Sequence, residues 1–270
     1  LMGRRDDSHL RRVELLQTAD IVEGVDVEQL DALDDVVRQL RPGAVINCVG
    51  VIKQRPSATD AIPSITVNAL VPHRLARVAA EIGARLVHFS TDCVFSGSRG
   101  DYGEEDFPDA YDLYGRSKFL GEVATPNALT LRTSIIGREL QHHRSLLDWF
   151  LAQRGGTVRG YERVFWSGVT TNHLASLVGD LLAYAPALGG VYQVAGQKLS
   201  KYDLLLRLRA AYGLDVEIVP DSEVTMDRSL RGDRLFEATG YRSPSWDEML
   251  SELATDPTPY DRWERTNVTV

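Results

Sequence analysis

The sequence predicts an α/β protein built on a largely parallel sheet, and three observations carry that prediction. Apolar runs of strand length recur between segments of helical periodicity. The helical segments end at Gly or Pro punctuation. Strand and helix also alternate through the first half of the chain, the order that parallel strands joined by crossover helices require. With 270 residues, the chain suits one large domain or two closely joined ones.

Taken in order, Val27 to Leu40 sets Leu30, Leu33, Val37 and Leu40 on one helical stripe, which Pro42-Gly43 stops. Ala44 to Val49 reads as a buried strand. From Ser64 to Ile82, the residues Val67, Leu70, Val71, Leu75, Val78 and Ile82 form one helical face with Gly83 as C-cap. Arg85 to Ser90 is the next strand, followed by a polar loop (Ser96 to Asp109), a helix from about Asp112 to Val123 and a strand from Leu129 to Thr133. The pattern then loosens. Ser145 to Gln153 and Asn172 to Ala185 read as helices, Gly190 to Val194 as a strand and Lys201 to Ala211 as an amphipathic helix. Val216 to Val219 reads as a short strand ended by Pro220, and Trp246 to Leu253 as a last helix. Without a long linker or repeat, residues 1–140 and 141–270 are expected to share an interface, the strand near 190–195 returning to the first part's sheet.

An apolar fraction of 43%, a charged fraction of 25%, 22 Gly and 11 Pro mark a globular chain and exclude disordered or collagen-like classes. A net charge of -8 offers no global basic field, so nucleic acid is not an expected partner. The longest nearly apolar run, Ala44 to Ile52, is broken by Asn47 and falls short of the roughly 20 residues that span a bilayer. No export signal is visible, and a reducing cytoplasm is the expected compartment. Cys48 and Cys93 show neither disulfide-framework nor zinc spacing and read as buried inert thiols. His142-His143 reads as exposed loop, no metal site is expected, and Asn267-Val268-Thr269 reads as a chance glycosylation triplet. The G-x-S-x-G and H-E-x-x-H hydrolase motifs do not occur.

The most informative stretch is Tyr114-Gly115-Arg116-Ser117-Lys118, which puts a phenol and an ammonium on one helical face. A lysine beside a tyrosine favours the phenolate and lowers its pKa from about 10, making it a usable proton donor or acceptor. The alternative is a surface helix whose Tyr packs and whose Lys is solvated. Upstream, the strand Leu86 to Ser90 runs into Ser90-Thr91-Asp92-Cys93-Val94-Phe95, so the Ser90 or Thr91 hydroxyl stands where open α/β sheets bind ligands. The alternative there is a polar turn.

These stretches, with Ile46-Asn47-Cys48-Val49-Gly50, Asn68 opening a helix, Gly121-Glu122 and Leu131-Arg132-Thr133-Ser134, resemble extended short-chain dehydrogenase/reductases. Within them the resemblance is to the dTDP-4-dehydrorhamnose reductase (RmlD-like) group. Ser167-Gly168-Val169-Thr170-Thr171 and Asp227-Arg228-Ser229-Leu230 look like the group's sugar-binding half. The resemblance implies a Rossmann-like doubly wound parallel sheet with a smaller C-terminal substrate-binding α/β module. It implies reduction of the C4 ketone of a nucleotide-linked 6-deoxy-hexulose by NADPH or NADH, serving polysaccharide or glycan precursor synthesis. Tyr114 would protonate the alkoxide, Lys118 would lower the phenol pKa and hold the nicotinamide ribose, and Thr91 would position the carbonyl. Cofactor contacts are implied for Arg4, Arg5, Asp26, Val27, Cys48, Val49, Gly50, Asn68 and Ser90 besides Tyr114 and Lys118, with Asn68 joining a proton relay. Substrate contacts are implied for Thr91, Asp92, Cys93 and Ile135. The implied partner is a nucleotide sugar, with a homodimer admitted and Mg²⁺ unsupported.

Departures refine this expectation. Cys93 stands where related dehydratases carry Glu, which disfavours dehydration. Most rhamnose-pathway reductases have aromatic residues at the places of Cys93 and Ile135, so a UDP-linked 2-acetamido-2,6-dideoxy-hexulose is an equal candidate substrate. A non-catalytic binding subunit of the same fold is the alternative from another class. No glycine-rich phosphate turn occurs, and Leu1-Met2-Gly3-Arg4-Arg5 resembles the end of a second strand. The expectation is therefore that the first βα unit, about 30 residues, is missing, and that Arg4 and Arg5 favour NADPH unless they merely pair with Asp6 and Asp7.

Overall fold

The structure, a computed structural model, describes residues 2, 3, 13, 16–52, 59–140 and 145–260. Its first half runs β1 (Met2–Gly3), β2 (Val22–Glu23), α1 (Leu30–Leu40), β3 (Ala44–Asn47), α2 (Ala61–Ile65), a π-helical turn (Thr66–Leu70), α3 (Val71–Glu81), β4 (Arg85–Thr91), a 3-10 turn (Asp92–Val94), α4 (Leu113–Leu120) and β5 (Ala128–Thr133). Helix α1 starts at Leu30, not at Val27, because Asp26 organises a turn ahead of it: its Oδ1 accepts from Glu28 N at 3.1 Å and its carbonyl from Gln29 N at 2.9 Å. It buries Leu33 and Val37.

The single helix expected over 64–82 is instead three joined pieces. Pro72, in the first turn of α3, has no N–H to return to the carbonyl of Asn68 four residues back. The ladder re-registers just before it, with Val71 N–H bonding to Thr66 O. Asn68 therefore sits inside the π turn and does not open a helix.

The main sheet has four parallel strands in the order β10-β5-β4-β3, β10 (Gly190–Gln193) arriving from the second half. Strands β1 and β2 form a separate parallel pair. Apolar side chains from α1, α3 and the inner strands, among them Val37, Leu75, Val78 and Leu86, close one core. A second core gathers Leu129, Leu131, Leu177, Leu204, Leu208, Trp166 and Trp246. The α/β class and the parallel sheet are thus as the alternation predicts.

The second half contains β6 (Ile135–Ile136), α5 (Leu146–Leu151), β7 (Thr157–Tyr161), β8 (Val164–Trp166), β9 (Val169–Thr170), α6 (Thr171–Tyr184), then after β10 β11 (Leu199–Ser200), α7 (Lys201–Tyr212), β12 (Glu217–Asp221), β13 (Met226–Asp227), α8 (Asp233–Thr239) and α9 (Trp246–Ala254). Side chains of Ser145, Thr170, Ser200 and Ser245 cap α5, α6, α7 and α9. Pro220 does not end its strand as expected. β12 pairs only with β7, so the missing N–H falls where no ladder bond is lost.

This half is stitched to the loop after β4. Tyr102 N donates to Ser229 O at 2.9 Å, Arg231 N to Tyr102 O at 2.8 Å and Asp227 N to Gly97 O at 2.7 Å. Gly97, at φ +87°, is required twice over: a Cβ there would also lie 2.6 Å from Met226 Cγ. Among the described residues no helix is long and apolar enough to cross a membrane.

Candidate active site

Strand β4 ends at Ser90-Thr91 and delivers the chain to the Asp92–Val94 turn, whose N-cap is Thr91: its Oγ1 accepts from Cys93 N at 3.1 Å. Helix α4 starts beside this turn, with Asp112 Oδ1 accepting from Gly115 N at 2.7 Å. Gly115 lets the helix lie against the turn, since a Cβ there would collide with the carbonyl oxygen of Cys93. Tyr114 is thereby held at Thr91, whose hydroxyl hydrogen-bonds the phenol and also donates to Asp92 Oδ1 at 3.1 Å. One turn on, Lys118 Nζ donates to Phe89 O at 2.6 Å. The structure thus brings Thr91, Tyr114 and Lys118 together.

The electrostatics differ from the pairing rule. Burial pushes the Tyr114 phenol well above its ordinary value, assisted by Cys93, Asp92 and Asp112, while the Thr91 bond opposes the rise. The expected lowering by Lys118 is therefore not seen. Burial also pulls Lys118 down to about 8 against the attraction of Glu122, and its ammonium is engaged by the Phe89 carbonyl.

Behind these groups lies a closed polar layer. Arg132 on β5 and Glu122 are each 4% exposed and meet through two bonds of 2.7 Å; Ser90 Oγ donates to Glu122 Oε1 at 2.6 Å. This layer ties β4, β5 and the end of α4 together one residue from Thr91. Asn68 is fully engaged: its Oδ1 accepts from Val51 N at 2.8 Å, and its Nδ2 donates to Val51 O at 3.0 Å and Ser117 Oγ at 3.1 Å. It clamps the segment after β3 to α4, so its amide has no spare donor for a relay. Gly121 admits this approach, since a Cβ there would strike the Asn68 carbonyl. His88, buried and neutral with its pKa lowered to about 2, first by desolvation and then by Lys118, contacts Asn47 Nδ2 through Nδ1 at 3.1 Å.

Asp26 and Val27 lie in the turn between β2 and α1, and Cys48, Val49 and Gly50 follow β3, with Val49 N bonded to Asn47 Oδ1 at 3.1 Å. Both positions are at carboxyl ends of parallel strands, where dinucleotides bind, and Val49 exposes 43% of its surface there. The residues present fit the nicotinamide and ribose half of such a cofactor through Tyr114 and Lys118; among the described residues no glycine-rich turn provides for the pyrophosphate. Cys48 is exposed, not buried as expected, Cys93 is partly so, and neither is in a disulfide. Ile135, in β6, is 54% exposed. Arg4, Arg5, His142, His143 and the Asn267 triplet lie outside the described residues. Among the described residues no group of three or more His, Cys, Asp or Glu is placed to hold a metal.

Sequence reasoning missed one cation beside this site, Lys201, and named a second, Arg228, only as part of the Asp227-Arg228-Ser229-Leu230 stretch. Lys201 at the start of α7 has Asp92 and Cys93 as its attractive charges, and Arg228 after β13 places Nη1 3.6 Å from Cys93 Sγ. Lys201 comes from an element too distant in sequence for any local pattern to announce its place here.

A family model described as the RmlD substrate binding domain matches residues 7–253. The chain is 33% identical over 206 residues to methionine adenosyltransferase 2 subunit beta of Rattus norvegicus, covering 71% of this chain and 61% of that protein. Over 107 residues it is 37% identical to dTDP-4-dehydrorhamnose reductase of Mycobacterium tuberculosis, covering 36% of this chain and 35% of that one. It spans 61%, 63% and 58% of the length of the frog and fish beta subunits that it also matches. Among solved structures, dTDP-4-dehydrorhamnose reductase from Bacillus anthracis in complex with NADP shares the fold at a TM-score of 0.77 and 20% identity, covering 93% of this chain and 97% of that one.

Proposed function

The chain belongs to the RmlD substrate binding domain family, and from that premise we propose that it is an NAD(P)H-dependent reductase of the C4 ketone of a nucleotide-linked 6-deoxy-hexulose, working in surface glycan precursor synthesis. The observation that carries this reading is the convergence of Thr91, Tyr114 and Lys118 at the carboxyl end of β4.

The raised phenol pKa keeps Tyr114 protonated through neutral pH, so a proton is present for the forming alkoxide, while a pKa so far above the operating pH makes the phenol a weaker acid than one tuned toward neutrality. Thr91, already bonded to the phenol, positions the carbonyl oxygen beside it. Lys118, held on the Phe89 carbonyl, orients the nicotinamide ribose. When bound, the nicotinamide supplies the hydride. Cys93 and Ile135 stand where bulkier aromatic groups are usual in the RmlD-like group, which supports a UDP-linked 2-acetamido-2,6-dideoxy-hexulose as an equal candidate substrate.

The test is NADPH oxidation with each class of 4-keto sugar nucleotide. Tyr114→Phe should lower kcat by roughly 10² or more, the usual contribution of a positioned general acid, and unchanged turnover overturns the reading. A second reading, a non-catalytic subunit, draws on the beta subunits of methionine adenosyltransferase that match 68 to 72% of the chain. It expects no NADPH oxidation with either substrate class.

A further inference from the structure

Four lysines occur in the sequence, and the three in described positions are treated differently. Lys118 donates to a carbonyl, and Lys198 pairs with Asp227 at 2.6 Å. Lys201 has neither kind of partner among the described residues: its ammonium lies 3.7 Å from the centroid of the Trp166 ring, and the nearby carboxylate, Asp92, accepts from Thr91 through Oδ1 and makes no ion pair with the ammonium. A ring face returns only part of the hydration that a buried ammonium gives up. Burial correspondingly pulls Lys201 down to about 8, with Asp92 and Cys93 opposing.

Arg228 also reaches Cys93. Its Nε donates to Phe95 O at 3.0 Å and its Nη2 to Ser96 O at 3.5 Å, which fixes the guanidinium with Nη1 toward the thiol. Two positive groups therefore reach Cys93, two residues from Thr91 and within the electrostatic reach of Tyr114. Lys201 also opens a helix of 12 residues, so the positive end of the α7 dipole adds to its own charge.

We propose that Lys201 and Arg228, which both reach Cys93, seat a phosphoryl group of the nucleotide-sugar substrate beside that thiol. The proposal deepens the reductase reading and rests on it for the identity of the ligand. An ammonium acts as a compact point charge that a phosphate oxygen can reach from many directions, and binding supplies the anion that the folded chain withholds. The groups that face Lys201 are Asp92 and Cys93 from the turn after β4 and Trp166 from β8, with Arg228 also at the thiol. Only Asp92 and Cys93 can add negative charge.

The test measures binding, not turnover, with uridine and thymidine and their diphosphates as probes. Lys201→Met should weaken the diphosphates about tenfold or more while leaving the nucleosides within about twofold, and Lys201→Arg should retain most of the affinity. In the unmutated chain with ¹³C-labelled lysine, the Lys201 titration should move up when the diphosphate saturates. Diphosphate affinity should fall as pH rises through about 8 and lose that dependence in Lys201→Arg. Equal diphosphate affinity in a folded Lys201→Met, or a Lys201 titration that diphosphates leave unmoved, overturns the proposal. A titration moved only by NADPH also overturns it, by assigning the anion to the dinucleotide. Because no turnover is needed, a chain that binds as described but never oxidises NADPH fails only as a reductase.

Discussion

The two sides of the site each hold a lysine, Lys118 buried and Lys201 half-buried, and desolvation pulls both down to about 8, yet they are built on opposite plans. On the β4 and α4 side, every charge is answered from within: Lys118 by a carbonyl, Glu122 by Arg132 and Ser90. On the β8 and α7 side, Lys201 rests on a ring and Arg228 meets two carbonyls and a thiol, with no carboxylate bonded to either cation. The first wall is finished on folding. The second reserves its electrostatic gain for whatever binds.

The largest expected effect follows from breaking the finished wall. Glu122→Gln should cost about 3–5 kcal/mol in chemical denaturation, because it leaves the Arg132 guanidinium buried without its counter-charge. The double change Glu122→Gln with Arg132→Met should recover much of that loss, and equal losses in both variants would show that the wall is not an electrostatic unit. Next in size, Gly121→Ala should cost about 1–3 kcal/mol by driving a methyl group into the Asn68 carbonyl.

The open wall should behave in the reverse sense. Lys201→Met should be neutral or stabilising by about 1 kcal/mol, since it removes a half-buried charge with no carboxylate bonded to it while keeping the contact with Trp166. pH sharpens the same contrast. Each of the two lysines has a folded pKa of about 8 and an unfolded one of about 10.4, so between these values the unfolded chain holds more protons and stability must rise with pH. Lys201→Met should remove part of that rise, seen in denaturation midpoints at pH 8 and pH 10. A rise of the same size in the variant would mean that Lys201 is not penalised. The smallest effect belongs to Pro220→Ala, expected within about 0.5 kcal/mol because β12 is unpaired on one side.

How much of this was legible depends on whether a feature is spelled locally. β4 has seven residues and α4 carries Tyr114 and Lys118 one turn apart, so apolar runs and helical spacing announce both. β6, β8, β9, β11 and β13 have two or three residues each, too few to show a period, and exist only through their partners. Asn68 and Pro72 stood in plain view, but an apolar stripe reads through a π turn without a break. The Tyr114 pKa departs from the pairing rule because spacing sets which groups share a face, whereas the shift is set by how deeply they are buried. Lys201 gave no signal at all, since Cys93 and Trp166 meet it only in the folded chain.

The π turn has a consequence for how the sequence can change over time. Proline at 72 withholds a donor from the carbonyl of Asn68, Gly121 is bare where that carbonyl arrives, and the Asn68 amide joins Val51 to Ser117. None of the three can drift alone without loss. Descendants of this chain should therefore keep or exchange Asn68, Pro72 and Gly121 as a set, and a lineage that regains an amide at 72 should be the first to tolerate a side chain at 121.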